Sequence, residues 1–245
     1  MIDIYTRILP REERGKQQFI DAAEYLVSQG VKVVATALDK KANSSLSLYV
    51  KEVNQMLKDD NVPLKIVEGM EVTADRAFVA TYHGREAMLT SNERYILLTV
   101  PDQEEPDYLE QFLYEIQLKE IVPIISQPEC HPYFLEHKNG LYKLVKKGAI
   151  VQLSSDSIIG KNGKRAKKAA MQFLEHNLAH VIASGVSVEN YKEHSLRQAY
   201  DVIAKEKGAD TAQLLRKNAE SIFNGQGVQI LPPERIKKTK FLGIF

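Results

Sequence analysis

The sequence predicts an α/β fold on a parallel sheet, closed or doubly wound, with the strand count favouring closure into a barrel. Three observations carry this. About seven short runs rich in β-branched residues recur along the chain, most are separated by segments of helical period, and the chain opens on a strand. Parallel strands need long crossovers, and helices supply them. With 245 residues and 44% hydrophobic content, one large packed core is affordable.

In the opening strand, Ile2, Ile4 and Ile8 alternate with Asp3, Tyr5 and Arg7, and Pro10 ends the run. One face is apolar and the other carries functional groups. Phe19, Ile20, Ala23, Leu26 and Val27 then recur at helical spacing, with Gly30 where a C-terminal cap belongs. Residues 31–37 read as a buried parallel strand, followed by a helix with Leu46, Tyr49, Val50, Val53 and Leu57 on one face. Residues 64–72 read as a strand, 73–92 as a less regular segment, 95–100 as a strand and 107–119 as a helix. Strands follow at 121–126 and 149–153, with a helix marked by Leu141, Leu144 and Val145 between them and stopped by Gly148. A helix at 166–176, a strand at 178–184 and two helices at 194–207 and 210–224 complete a barrel domain over residues 1–224. Residues 225–245 read as a basic and apolar tail. It carries Arg235, Lys237, Lys238 and Lys240 before Phe241, Leu242, Ile244 and Phe245, which are expected to dock on protein.

Chemistry in such folds sits at the C-terminal ends of the strands. Those ends place Arg7, Leu38 with Asp39, Glu71, Thr99, Gln127, Asp156, and Gly185 with Ser187 around one rim. The formal net charge of +1 gives no global field for nucleic acid or an anionic membrane. A single cysteine, Cys130, excludes an internal disulfide framework, and no long apolar run is present, so a cytoplasmic location is expected. Cys130 next to His131 is read as a loop thiol rather than a nucleophile, because neighbours on an extended chain point apart. The six histidines show no pairing at helical spacing that would build a metal site. Lys161, Lys164, Arg165, Lys167 and Lys168 read as a solvated helix face or a surface for an acidic partner.

The stretches MIDIYTRILP, VVATALDK, VEGMEV, YILLTV, PIISQPEC and HVIASGVS, in that order, resemble the PHP (polymerase and histidinol phosphatase) superfamily, in its CpsB/YwqE-like branch of bacterial tyrosine phosphatases. The resemblance extends to the final KKTKFLGIF. It implies a distorted (β/α)7 TIM-like barrel of the PHP type, with a manganese-rich cluster at the strand ends. At the family's ligand positions, however, this chain has Tyr5, Arg7, Leu38, Thr99, Gln127, Gly185 and Ser187. Glu13 and Arg14 stand at an acidic pair, Cys130 at a family arginine, and Lys192 at a second phosphate-binding arginine. Glu71 alone matches a family metal ligand.

A site for several divalent ions needs several anionic and imidazole donors. The expectation is therefore a catalytically impaired homologue, without a manganese site or other cofactor, that binds and regulates in capsule or exopolysaccharide control. Its anion-binding candidates are Arg7, Arg14 and Lys192, with Arg7 paired to Glu71. The expected partner is a bacterial tyrosine kinase or its phosphotyrosine tail, with no nucleic acid, only indirect membrane contact, and room for a homo-oligomer. The alternatives are an active manganese-dependent protein-tyrosine phosphatase with rearranged ligands, and a scaffold subunit pairing with an active paralogue.

Overall fold

The computed structural model describes residues 1–9, 15–37, 46–83, 88–89, 93–102 and 106–237. Eight strands and ten helices make up the described chain, with one or two helices between most successive strands. The strands are β1 (Ile2–Thr6), β2 (Val33–Ala37), β3 (Lys65–Gly69), β4 (Glu71–Thr73), β5 (Tyr95–Thr99), β6 (Val122–Ser126), β7 (Ile150–Ser154) and β8 (Val181–Ala183). The first six helices are α1 (Lys16–Ser28), α2 (Leu46–Asp59), α3 (Arg76–Thr81), α4 (Leu109–Gln117), α5 (Pro132–Glu136) and α6 (Lys138–Lys146). The last four are α7 (Ser155–Ile159), α8 (Gly163–Glu175), α9 (Leu196–Lys207) and α10 (Ala209–Phe223).

Every paired strand is parallel, in two sheets ordered β1-β2-β3 and β4-β5-β6-β7-β8. The single strand expected over residues 64–72 is two strands. Residues 65–69 pair with β2, and from Glu71 the chain pairs with β5 instead. A Cβ at Gly69 would lie 3.0 Å from the Leu89 carbonyl and 3.3 Å from that of Thr36, so the chain is pressed between neighbours where it changes partner. The opposite seam joins β1 to the segment after β8. Gly185 N–H donates to Tyr5 O at 3.0 Å, and Arg7 N–H to Val186 O at 2.8 Å.

Alternation along the strands sorts the core into two layers. Ile96, Leu98, Ile125, Val151 and Leu153 pack outward with Phe112, Phe134 and Phe173. Val34 and Ile66 do the same against Phe19, Leu26 and Val53. Leu97, Ile124, Ile150 and Val181 share the interior with Tyr5. Two residues further along the same faces stand Thr99, Ser126 and Gln152, so the interior turns polar toward the strand C-termini. Burying a large apolar side chain stabilises by about 1.5–3 kcal/mol, and both layers contribute.

Gly30 and Gly148, at φ 82° and 96°, end α1 and α6 in the left-handed region that favours glycine. Three short helices lie outside the expected elements. α3 falls inside the irregular segment, α5 comes after β6 and a short loop, and α7 follows β7 directly. α5 starts where Pro132 presets the first turn and His131 Nδ1 accepts from Tyr133 N–H. Residues 225–237 carry no regular element but lie on the barrel. Asn218 bonds both backbone groups of Gln229, Glu234 N–H reaches His176 O, and Ile236 is buried. Residues 238–245, with the apolar end, lie outside the described residues. Among the described residues no helix is long and apolar enough to cross a membrane.

Candidate functional site

The polar ends of the strands open into a pocket of about 430 Å³. Tyr5 enters from β1 and Arg7 from just beyond it, Glu71 from β4, Thr99 from β5, Ser126 from β6 and Gln127 from just beyond it, Ser154 from β7, and Gly185 from the turn after β8. Asp102, Cys130, His131, Asp156 and Asn162 complete much of its wall.

Glu71 organises the centre. Its Oε2 accepts from the Tyr5 hydroxyl at 2.5 Å and from Arg7 Nη2 at 3.1 Å. Ser126 Oγ lies 2.9 Å from Glu71 Oε1 and 3.0 Å from Gln152 Oε1, and its one proton serves one of them at a time. Burial, reinforced by the Glu71 charge, pushes the Tyr5 phenol well above its ordinary range, so it remains a neutral donor. The Arg7 side chain is 56% exposed, which limits the ion pair to about 0–1 kcal/mol. Arg7 lines the pocket, and its backbone is tied into the seam by Val186.

Four further groups define what the wall can do. Asp156, in the first turn of α7, accepts from Ser195 Oγ at 2.6 Å and sits 3.7 Å from Lys161 Nζ, both through Oδ1. His131 has both ring nitrogens spent. Nε2 is 2.9 Å from Pro101 O and so carries the proton, while Nδ1 accepts from Tyr133 N–H. The Cys130 thiol is pushed up by burial and by Glu129, away from thiolate chemistry. Glu129 is fully buried with Oε1 on Ser154 N–H and Oε2 without a hydrogen-bond partner among the described residues, and burial raises its pKa to about 7. Behind the seam, Asp3 Oδ2 meets His194 Nε2 at 3.2 Å, both side chains fully buried, and Asp3 Oδ1 takes Ser184 N–H at 3.1 Å.

Of the rim residues expected from sequence, Arg7, Glu71, Thr99, Gln127, Asp156 and Gly185 line this pocket together with Tyr5. Ser187 does not; its hydroxyl turns to Asn190 Oδ1 at 3.0 Å. Lys192 sits on a 3-10 turn, Tyr191–Glu193, outside the pocket wall, with Nζ 5.8 Å from the Tyr191 ring centroid. Leu38, Asp39, Glu13 and Arg14 lie outside the described residues. Sequence reasoning missed Ser126 and Ser154, although counting inward positions along β6 and β7 would have found both. Asn162 gave no signal.

Donor chemistry decides which ions suit this site. Among the described residues no group of three or more His, Cys, Asp or Glu side chains is placed to hold a metal. A cation brought to Glu71 would have to displace a phenol and a guanidinium from the same oxygen. The described residues therefore do not fit a cluster of divalent ions.

The parallel sheets, helical jacket and polar strand-end pocket define a class that the comparisons specify. A family model described as "Capsular polysaccharide synthesis, CpsB/CapC" matches residues 1–224, and the chain belongs to this family. Among its curated relatives is tyrosine-protein phosphatase YwqE of Bacillus subtilis, 30% identical over the whole of both chains. The Staphylococcus aureus putative tyrosine-protein phosphatase CapC is 24% identical over the whole of both chains. Tyrosine-protein phosphatase CpsB of Streptococcus pneumoniae is 25% identical over 88% of this chain and 94% of its own. A solved structure described as YwqE and CpsB, "unique metal-dependent tyrosine phosphatases", superposes with a TM-score of 0.86 at 29% identity, covering 97% of this chain and all of the other.

These findings correct the expectation of a catalytically impaired binding protein. Relatives similar over the full chain are phosphatases by name, and the solved neighbour is metal-dependent. The expectation weighed individual motif positions above likeness over the whole chain. Lost donors at named positions do not establish lost turnover when sequence and fold are alike over the whole chain.

Proposed function

We propose that this chain hydrolyses phosphotyrosine in proteins at the strand-end pocket. The observation carrying the reading is 30% identity to a tyrosine-protein phosphatase over the whole of both chains.

The pocket supplies groups for each requirement of phosphomonoester hydrolysis. Arg7 binds phosphoryl oxygens through the N–H donors that Glu71 leaves unused, in a pocket that Gln127 also lines. Glu71 and Tyr5 are positioning residues that fix the guanidinium. Asp156, whose Oδ2 has no partner among the described residues, accepts the proton of the attacking water. The P–O bond to the tyrosine oxygen breaks with its electron pair on the phenolate, which solvent reprotonates. These roles belong to the chain's own side chains, since the described donors do not fit a cluster of divalent ions. Arg14 and Lys192, the other two anion-binding candidates, have no assigned part.

The test is release of phosphate from a phosphotyrosyl peptide by chelator-treated protein, with and without added manganese. Turnover under either condition, lost in Asp156→Asn, is the expected result. Absence of turnover in both would sink the reading.

A further inference from the structure

On the outer face of the barrel, a groove of about 530 Å³ lies between α5, α6, α8 and the segment ending at Lys237. Lys138, Lys143, Lys168 and Lys237 line it. Among the described residues none of the four makes an ion pair. Glu136, the carboxylate in the wall, is taken by Arg165 at 3.5 Å, and Lys138 donates instead to the neutral Gln172. Burial, with the charges of Lys168 and Arg165, lowers the Lys138 pKa, as expected where like charges crowd together. The floor is apolar and aromatic. The Tyr133 ring stacks on His137 with centroids 4.8 Å apart, and Gly140 admits it, since a Cβ there would lie 2.9 Å from the ring.

The groove adjoins the site through α5. His131 lines the pocket, and the five residues Pro132–Glu136 carry the chain from there to the groove. At 1.5 Å per residue this helix is about 7.5 Å long. An extended peptide covers that distance in about two to three residues.

We propose that this groove is a docking site for acidic residues flanking the phosphotyrosine of a protein substrate. The proposal rests on the assignment of phosphotyrosine to the pocket. Four unpaired ammonium groups beside an apolar floor suit carboxylate side chains on a peptide backbone. The chain's own end is the poorer occupant, because Lys238 and Lys240 carry the same sign as the groove.

The test compares two short phosphotyrosyl peptides, one flanked by glutamates and one by serines, on the wild type and on Lys138→Glu/Lys143→Glu/Lys168→Glu. The acidic peptide is expected to show a KM about tenfold lower in the wild type, and the charge reversal to erase that ratio. A milder Lys→Gln triple variant, with circular dichroism melts of both, keeps the result readable if reversal perturbs folding. A fluorescent acidic peptide without phosphate is titrated in parallel. Its binding to the wild type and loss in the variant upholds the groove even if no phosphopeptide turns over, which separates the two readings. Equal KM values in the wild type, or a ratio that survives charge reversal, overturns the proposal. So does binding of a polyuronate in place of the acidic peptide, or peptide binding that appears only after removal of residues 238–245.

Discussion

The pocket and the groove handle charge in opposite ways. In the pocket, Arg7 is paired with Glu71, Glu71 is also held by Tyr5, and Asp156 is met by Ser195 and Lys161. In the groove, none of the four lysines makes an ion pair among the described residues, and the Glu136 carboxylate in the wall is taken by Arg165. Internally paired charge holds a geometry and is partly screened before any ligand arrives. Unpaired charge is available to a partner and falls off with salt. The pocket is thus organised for positioning and the groove for attraction.

The largest effect that can break this contrast is at Arg7. Arg7→Ala is expected to lower kcat/KM on a phosphotyrosyl peptide about 10²–10³-fold, the usual cost of a preorganised charge-stabilising donor. Its melting temperature should barely move, because the side chain is more than half exposed. A large stability loss with intact kinetics would make the pair structural and erase the contrast.

Next comes the buried pair behind the seam. Asp3→Ala leaves His194 and Ser184 N–H without their acceptor, and breaking such a pair costs about 3 kcal/mol, or about 6–12 °C in Tm. Calorimetry checks it; a shift below about 2 °C would show that Asp3 contributes little to closing the barrel.

Two buried titratable groups give a third test. Glu129 binds its proton more tightly folded than unfolded, with its pKa raised from 4.5 to about 7, so its stabilisation is full below 4.5 and lost as pH rises to about 7. His180 binds its proton more weakly when folded, with its pKa lowered from 6.5 to about 4, so its stabilisation is lost as pH falls through that window. The two slopes oppose each other between about pH 4.5 and 6.5. Glu129→Gln should expose a rise in stability with pH of up to about 3 kcal/mol, read by denaturant midpoints across that range. An unchanged slope would refute the burial of one group or the other.

Tyr5→Phe is the mildest change. Glu71 keeps Arg7 and loses one hydrogen bond, about 1 kcal/mol, so activity should fall about fivefold. A loss as large as that of Arg7→Ala would move Tyr5 from positioning residue to catalytic residue.

Much of the scaffold and rim was legible because its signals are local. Alternation in β1, β-branched runs in β2, β5 and β7, and helical spacing in α1 and α4 read directly from the chain. So did the set of strand ends, which placed Arg7, Glu71, Thr99, Gln127 and Asp156 in one pocket. The division of residues 64–72 was not legible, since a partner change at Met70 depends on which strands flank it. The Asp3–His194 pair was equally hidden, because its members lie 191 positions apart. The groove was half visible: the lysine run on α8 was plain, but its meeting with α5 and α6 is tertiary. The expectation of impaired catalysis fell for a different reason: donors were weighed position by position, while the likeness to named phosphatases runs over the whole chain.

The seam between β1 and the turn after β8 has a consequence for synthesis. Asp3 and its partner Ser184 are 181 positions apart, and Arg7 is anchored to Val186 just beyond. At about 5–20 residues per second, the ribosome needs about 10–35 s after making β1 to supply the last strand. Throughout that interval the opening strand has at least one edge bare, and the pocket cannot exist until the turn that carries Gly185 has emerged.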